Sequence, residues 1–262
     1  MRKKELILRL NGILLGEMPE YCDDAEHFDD SEDAQRRLLR SLMNLRPPAP
    51  LSDEYLTLQD ELLGMERDER GVVEIRTLPG AAGGRILLWQ GDITRLAADA
   101  IVNAANSDLL GCFHPCHGCI DNAIHSAAGL QLREECNVLM RAQGHPEPAG
   151  SIKITNAYNL PSRYVFHTVG PIVRGGLESH HREALARCYT ACLEAAADLD
   201  LENIAFCCIS TGEYGFPAKE AAGIAVRTVH DFLDHHPDIE HVVFDVFKDS
   251  DCAIYESILE AS

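Results

Sequence analysis

The chain has 262 residues, 46% of them apolar and 25% charged, and its 42 acidic against 23 basic side chains give a formal net charge of −19. That balance supports a buried core and excludes a disordered chain. It lacks the basic footprint of a general nucleic-acid binder, and no uncharged apolar run reaches the ~18 residues of a membrane-spanning helix. A small anionic ligand stays within reach, because backbone N–H groups hold phosphate without Lys or Arg.

The opening segment MRKKELILRLNG is basic, but Glu5 and Arg9 interrupt its apolar run. It has no signal-peptide core and is expected to form an amphipathic helix of a cytoplasmic protein. Its apolar spacing predicts a helix over Lys3–Leu15. A second helix is expected over Ser31–Leu45, with Ser31 as N-cap and the run Arg46–Pro50 ending it. A third is expected over Ser52–Glu69, where Ser52 supplies only part of a capping box. The acidic run Asp23–Asp33 reads as a solvated connector. This section carries no Gly-rich loop and no His/Cys cluster, and reads as a helical appendage on the main domain.

From about residue 72 the pattern becomes strand, loop, helix. Strands are expected at Arg85–Gln90, Ala100–Asn103, Ser151–Asn156, Tyr164–Val169, Ile204–Ser210 and His241–Phe247, several of them near-continuous apolar runs of the kind covered on both faces. Helices are expected at Ile120–Ala128, Gln131–Ala142, Glu178–Leu199, Pro217–His235 and Asp251–Leu259. Such alternation implies an α/β fold, with a parallel or mixed sheet between helix layers and ligands at the loops beyond the strand ends. Cys207 and Cys208 read as buried strand residues, Cys188 and Cys192 as core packing, and His125 and His167 as satisfied core histidines.

Three loops carry chemistry. Gly91-Asp92-Ile93-Thr94 follows the first strand; Asp92 either caps a turn or accepts from an amino group such as that of adenine. Ser210-Thr211-Gly212-Glu213-Tyr214-Gly215-Phe216-Pro217 joins a strand to a helix. Its glycines allow several N–H groups to converge on one anion at the positive end of the helix dipole, without the Gly-Lys-Ser/Thr of a Walker loop. The third loop begins at Asn103 and holds Cys112, His114, Cys116, His117 and Cys119 before a helix that opens on Asp121 and Asn122. Thiolates and imidazoles are preferred zinc donors, and a helix N-terminus favours a thiolate at Cys119. Three ligands would leave a position for substrate or water and four would close the site; spacing does not choose among the candidates. Cys116-His117-Gly118-Cys119 also fits a C-x-x-C redox pair. Among ten cysteines with no secretory signal, a disulfide framework is not expected.

Together GDITRLAADAIVNAAN, LLG, CIDNAIHSAAG and ISTGEYGFP resemble the macrodomain family, which binds ADP-ribose; the resemblance spans about Leu78 to Ser262. The segment Gly111–Cys119 stands where hydrolase macrodomains carry a glycine run. In that respect the chain resembles the zinc-dependent branch of microbial protein-ADP-ribose hydrolases, which also has a helical N-terminal extension. The resemblance implies a three-layer α/β/α macrodomain with a mixed sheet over residues 76–262, preceded by a small helical extension over residues 1–75. It implies one Zn2+ on Cys112, His117 and Cys119, leaving His114 and Cys116 as bystanders. It places adenine near Asp92 and Ile93 with Phe247 as a wall, and the diphosphate on Ser210, Thr211, Gly212, Glu213, Tyr214, Gly215 and Phe216. The distal ribose falls among Asn106, Cys119, Ile120, Asp121 and the metal, and Asn106 and Asp121 match the family's catalytic polar positions.

The expected activity is removal of mono-ADP-ribose from protein side chains, Asp or Glu esters first, with zinc lowering the pKa of a ribose hydroxyl or a water and Asp121 orienting the nucleophile or acting as base. The resemblance also suggests a lipoyl-carrier protein modified by a sirtuin as target. The competing expectation is a reader of ADP-ribose with a structural zinc and no turnover.

Overall fold

A computed structural model describes residues 1–261, so Ser262, the last residue of the expected 76–262 domain, lies outside the described residues. The N-terminal section folds into α1 (Lys3–Glu17), the one-turn α2 (Cys22–Ala25), α3 (Glu32–Leu45) and α4 (Asp53–Arg70). Ser31 Oγ accepts from the Ala34 N–H at 3.2 Å and Ser52 Oγ from the Tyr55 N–H at 3.1 Å, so both predicted serines cap their helices and satisfy otherwise orphaned donors. The run Asp23–Asp33 is not all connector. Its first residues belong to α2, and Asp29 Oδ1 accepts from the Ser31 N–H at 2.8 Å, fixing the entry to α3. Leu6, Leu10 and Leu14 of α1, Leu39 and Leu42 of α3, and Tyr55 and Leu62 of α4 form a core of their own.

Beyond α4 come β1 (Val73–Glu74), β2 (Ile86–Gln90), β3 (Leu96–Ala97), β4 (Ala100–Ala105), α5 (Ile120–Ala128), α6 (Leu130–Gln143), β5 (Ile152–Asn156), β6 (Tyr164–Val169), α7 (Ser179–Asp198), β7 (Asn203–Phe206), α8 (Ala218–Leu233), β8 (His241–Val246) and α9 (Asp249–Leu259). Six strands form one sheet in the order β2-β8-β7-β4-β6-β5, parallel except for the antiparallel edge pair β5–β6. This is the expected mixed sheet between helices. Buried Val102, Phe166, Phe206 and Phe244 lie in its core together with Leu185, Tyr189 and Ile224 from the helices. The pair β1–β3 escapes sequence reading because two residues are too few to show a period.

Register decides where the loops emerge. Val102 of β4 pairs with Phe206 of β7, and Phe206 with Phe244 of β8, so the chain leaves these strands at one edge of the sheet. The strand expected to reach Ser210 stops at Phe206; the chain runs on to a turn at residues 209–210, where Ser210 takes a left-handed conformation (φ 65°). Cys207 and Cys208 are therefore loop residues rather than strand residues.

The helical section and the sheet domain are joined through α6. Leu130 inserts into the helical core. Buried Arg133 donates from Nη1 to the carbonyls of Met43, Asn44 and Arg46 at 2.9, 3.1 and 2.6 Å, and from Nε to that of Leu110 at 2.7 Å. Replacing this guanidinium leaves four carbonyls without that donor in a poorly hydrated seam. Arg133→Met should cost about 3 kcal/mol, read as a lower urea midpoint; a change under about 0.5 kcal/mol, the range of neutral surface substitutions, would contradict the assignment.

Candidate active site

The loops after β2, β4, β7 and β8, with the start of α5, line a single cleft of about 700 Å³. Asp92, Ile93, Asn106, Cys112, His117, Cys119, Ile120, Asp121, Ser210, Thr211, Gly212, Glu213, Tyr214 and Phe247, all singled out from the sequence, line it. Gly215 and Phe216 do not. Phe216 is buried in the main core, and its N–H donates to the Ser210 carbonyl at 3.0 Å, closing the loop from behind. Of the two loop glycines, Gly215 supplies the left-handed turn (φ 68°) and Gly212 does not. The backbone N–H groups of Thr211, Gly212, Glu213 and Tyr214 take no part in the loop's internal hydrogen bonds, which leaves them for an anion.

Asp92 caps its turn and also faces the cleft. Its Oδ1 accepts from the Thr94 N–H at 3.0 Å and the Thr94 hydroxyl at 2.7 Å, and Oδ2 lies 3.4 Å from Arg70 Nη1 of α4, while the residue faces the cleft.

The loop after β4 gathers three donors. The donor atoms of Cys112, His117 and Cys119 lie within 4.8 Å of one another, with Cys112 Sγ 3.6 Å from His117 Nδ1. His117 Nε2 lies 3.9 Å from Glu213 Oε1, beyond hydrogen-bond reach. Two sulfurs and one imidazole suit a borderline-soft ion such as zinc. Cys116 turns elsewhere: it adopts φ 52° and sets its Sγ 3.3 Å from Ser41 Oγ of α3. His114 contributes its carbonyl, which accepts from Asn122 Nδ2 at 3.0 Å. Cys119 is the N-cap of α5 and its Sγ accepts from the Asn122 N–H at 3.4 Å. The helix terminus that favours a thiolate at Cys119 works here against burial, and a bound divalent ion would side with the thiolate. Burial pushes the Cys119 thiol up to about 11, with Cys112 and Asp121 adding to a rise that the Asn122 N–H only partly opposes.

Asp121, on the first turn of α5, is 5% exposed. Its Oδ1 accepts from Asn103 Nδ2 at 2.8 Å and its Oδ2 from Asn106 Nδ2 at 3.4 Å. Burial raises the carboxyl to about 6 despite Asn103 and Arg133. Behind it, Asn103 Nδ2 also meets His167 Nδ1 at 3.1 Å, and His167 Nε2 meets Thr155 Oγ1 at 2.9 Å, so His167 is satisfied as expected. His125 is not: both ring nitrogens lack a hydrogen-bond partner, and Nε2 stops 3.5 Å from Asp121 Oδ1. The cause is packing. The ring fills the space above Gly111, where an added Cβ would sit 2.9 Å from the ring's Cγ. Burial keeps both imidazoles neutral. The donor atoms of His125, Cys136 and His167 also cluster within 4.8 Å, but Asn103 and Thr155 occupy His167 and the Arg133 charge acts on His125, which makes this a polar core behind Asp121.

Among the cleft residues unread in the sequence are Asp245, Arg40, Lys248 and Asp251. Asp245 is 5% exposed on β8, with Oδ1 unpartnered; the signal was a lone acid inside the apolar run HVVFDVF. Arg40 arrives from α3 and had no signal, since nothing in the helical section marks a cleft residue.

Burial, with the Asp92 charge adding, pushes the Asp245 carboxyl up to about 8, against about 3.9 in an unfolded chain. The native state therefore holds this proton more tightly, and the associated stability is complete below about pH 4 and lost as pH rises through about 8. Asp245→Asn, uncharged throughout, should gain stability relative to the parent chain across that interval. Urea midpoints of the two proteins between about pH 4 and about pH 8 test this, and a pH-independent difference would refute it.

The Macro domain family matches residues 102–225. A protein-ADP-ribose hydrolase of Treponema medium is 47% identical over 262 residues, covering 99% of this chain and 100% of that protein. A protein-ADP-ribose hydrolase of Staphylococcus aureus (strain MRSA252) is 48% identical over 220 residues, 84% of this chain and 82% of that one. Among solved structures, the Oceanobacillus iheyensis macrodomain with ADP is 40% identical at a TM-score of 0.62, covering 66% of this chain and 89% of that chain. The Trypanosoma brucei macrodomain in complex with ADP-ribose is 32% identical at a TM-score of 0.65, covering 84% and 94%. By its sheet, its cleft, the family match and its full-length likeness to the Treponema medium hydrolase, the chain belongs to the macrodomain family.

Proposed function

We propose that the chain removes ADP-ribose from modified proteins by hydrolysis, acting on mono-ADP-ribose esters of Asp or Glu side chains, and that zinc takes part. The observation that carries this reading is the buried Asp121 in one cleft with the donor trio Cys112, His117 and Cys119. Relatives that match most of the chain and are named protein-ADP-ribose hydrolases support it.

In this reading the labour divides among the cleft residues. Asp92 accepts from the adenine amino group beside Ile93, and Phe247 walls the base. The free N–H groups of Thr211 to Tyr214 receive the diphosphate, replacing its water shell with fixed dipoles. Asn106 Nδ2, shared between the Gly111 carbonyl and Asp121 Oδ2, orients the distal ribose. Asn103 anchors Asp121 Oδ1, which leaves Oδ2 to take the proton of the attacking oxygen. Cys112, His117 and Cys119 would hold zinc, which when bound supplies a Lewis acid that lowers the pKa of an oxygen at the ribose. A carboxylate is a good leaving group, hence the preference for ester linkages. A lipoyl-carrier protein modified by a sirtuin is the protein target to assay first.

Release of free ADP-ribose from an ester-modified protein, followed by chromatography, tests the reading. Asp121→Asn should lower kcat by about 10²- to 10⁴-fold. Cys112→Ser, His117→Ala and Cys119→Ser should each lower activity by about 10-fold or more, and Cys116→Ser should stay within about twofold. Binding of ADP-ribose with no release by the parent protein would instead make it a reader. Loss of activity in Cys116→Ser alone would point to the C-x-x-C redox pair.

A further inference from the structure

The loop that presents the donor trio has little structure of its own. Between Cys112 and Gly118 it contains a single internal backbone hydrogen bond, from the His117 N–H to the His114 carbonyl at 3.2 Å. A loop so weakly paired does not by itself hold three side chains within 4.8 Å of one another. What holds it comes from elsewhere, and much of it comes from α3.

Arg40 and Asn44 lie one turn apart on one face of α3, turned toward α5 and this loop. Asn44 Oδ1 accepts the Cys116 N–H at 2.9 Å, and Asn44 Nδ2 donates to Ser126 Oγ of α5 at 3.1 Å. Arg40 donates twice to Asn122 Oδ1, from Nη2 at 2.7 Å and Nε at 3.2 Å, and Nη2 also reaches the His117 carbonyl at 3.4 Å. Asn122 is fully buried and is the hub of the arrangement: its backbone N–H donates to Cys119 Sγ and its Nδ2 to the His114 carbonyl. Between these residues, Cys116 Sγ meets Ser41 Oγ and donates to the Arg37 carbonyl. Two side chains of the helical section thus set the backbone of one ligand, His117, the N-terminal turn that carries another, Cys119, and the Cys116 N–H just before His117.

We infer that α3 of the N-terminal helical section is part of the metal site, with Arg40 and Asn44 as positioning residues that set the metal affinity of Cys112, His117 and Cys119. The section is therefore more than the appendage expected from its sequence. Arg40 suits this task because its planar fork engages Asn122 Oδ1 with two donors while reaching a second carbonyl; a lysine there keeps the charge and loses the fork. Groups that orient ligands in this way are worth about 10- to 100-fold in metal affinity.

This inference rests on the reading of Cys112, His117 and Cys119 as ligands, and the experiment separates the two. Zinc dissociation constants are measured by competition with a chromophoric chelator on the full chain, for the parent, Arg40→Gln/Asn44→Ala, Arg40→Lys and Arg36→Gln. Arg36→Gln is the control for a general loosening of the section, since it removes the Arg36–Glu66 ion pair between α3 and α4 and touches nothing in the loop. The double variant should bind zinc about 10- to 100-fold more weakly, Arg40→Lys should fall between it and the parent, and Arg36→Gln should match the parent. The cobalt-substituted double variant should show altered visible bands. If the double variant is poorly folded, Arg40→Gln alone carries the same test, with its melting temperature measured alongside. Zinc bound by the parent and by the double variant with equal affinity overturns the inference alone. A parent chain that takes up no zinc overturns the ligand reading and the inference with it.

Discussion

Asp121 is the group on which the rest of this structure turns. A carboxyl that is 5% exposed is stable only when its oxygens are occupied, and here the two are occupied unequally. Oδ1 is anchored by Asn103 at 2.8 Å, with the neutral ring of His125 just beyond hydrogen-bond range. Oδ2 has only the long contact to Asn106. That asymmetry aims one oxygen at the cleft and fixes the other in a polar core that runs through Asn103 to His167 and Thr155. Placing Asp121 on the first turn of α5, two residues after Cys119 at the N-cap, ties the carboxyl and the donor loop to one rigid element.

The electrostatics of the cleft point the same way. Asp92, Asp121, Glu213, Asp245 and Asp251 line it against only Arg40 and Lys248, and the chain as a whole carries −19. A diphosphate entering such a cleft gains nothing from surrounding charge. It must be held by backbone dipoles, and its own charge must be tolerated by neighbours that give theirs up. In the proposed reading the loop from Ser210 to Tyr214 would supply the dipoles, Asp245 keeps its proton up to about pH 8, and a divalent ion at the trio would add the missing positive charge. Arg40 is engaged with Asn122 and the donor loop, so its charge serves the loop's shape.

Much of this was legible in the sequence because it is local. Ile120–Ala128 has the bounds its apolar spacing predicts, Ser31 and Ser52 cap the helices they precede, and Cys119 sits at the N-cap its place before the helix implied. The cleft loops were legible because glycines and an acid directly follow apolar runs. What was missed is long-range or depends on exact packing. Arg40 meets Asn122 across 82 residues and Asn44 meets Cys116 across 72, and no periodicity in α3 announces either contact. Asp245 reads as an interruption of an apolar strand until β8 is seen to end at the cleft. His125 was expected to find partners, and only the close approach of Gly111 explains why its ring faces Asp121 without bonding it. Likewise the raised thiol of Cys119 follows from burial beside Cys112, which the favourable helix terminus does not outweigh.

Diffraction at the zinc absorption edge, from crystals grown with zinc and ADP-ribose, addresses the central claim most directly. The account predicts an anomalous peak bonded to Cys112 Sγ, His117 Nδ1 and Cys119 Sγ, with the distal ribose lying between that peak and Asp121 Oδ2. A ribose bound in the same cleft with its distal ring turned away from both Asp121 and the three donors would contradict it.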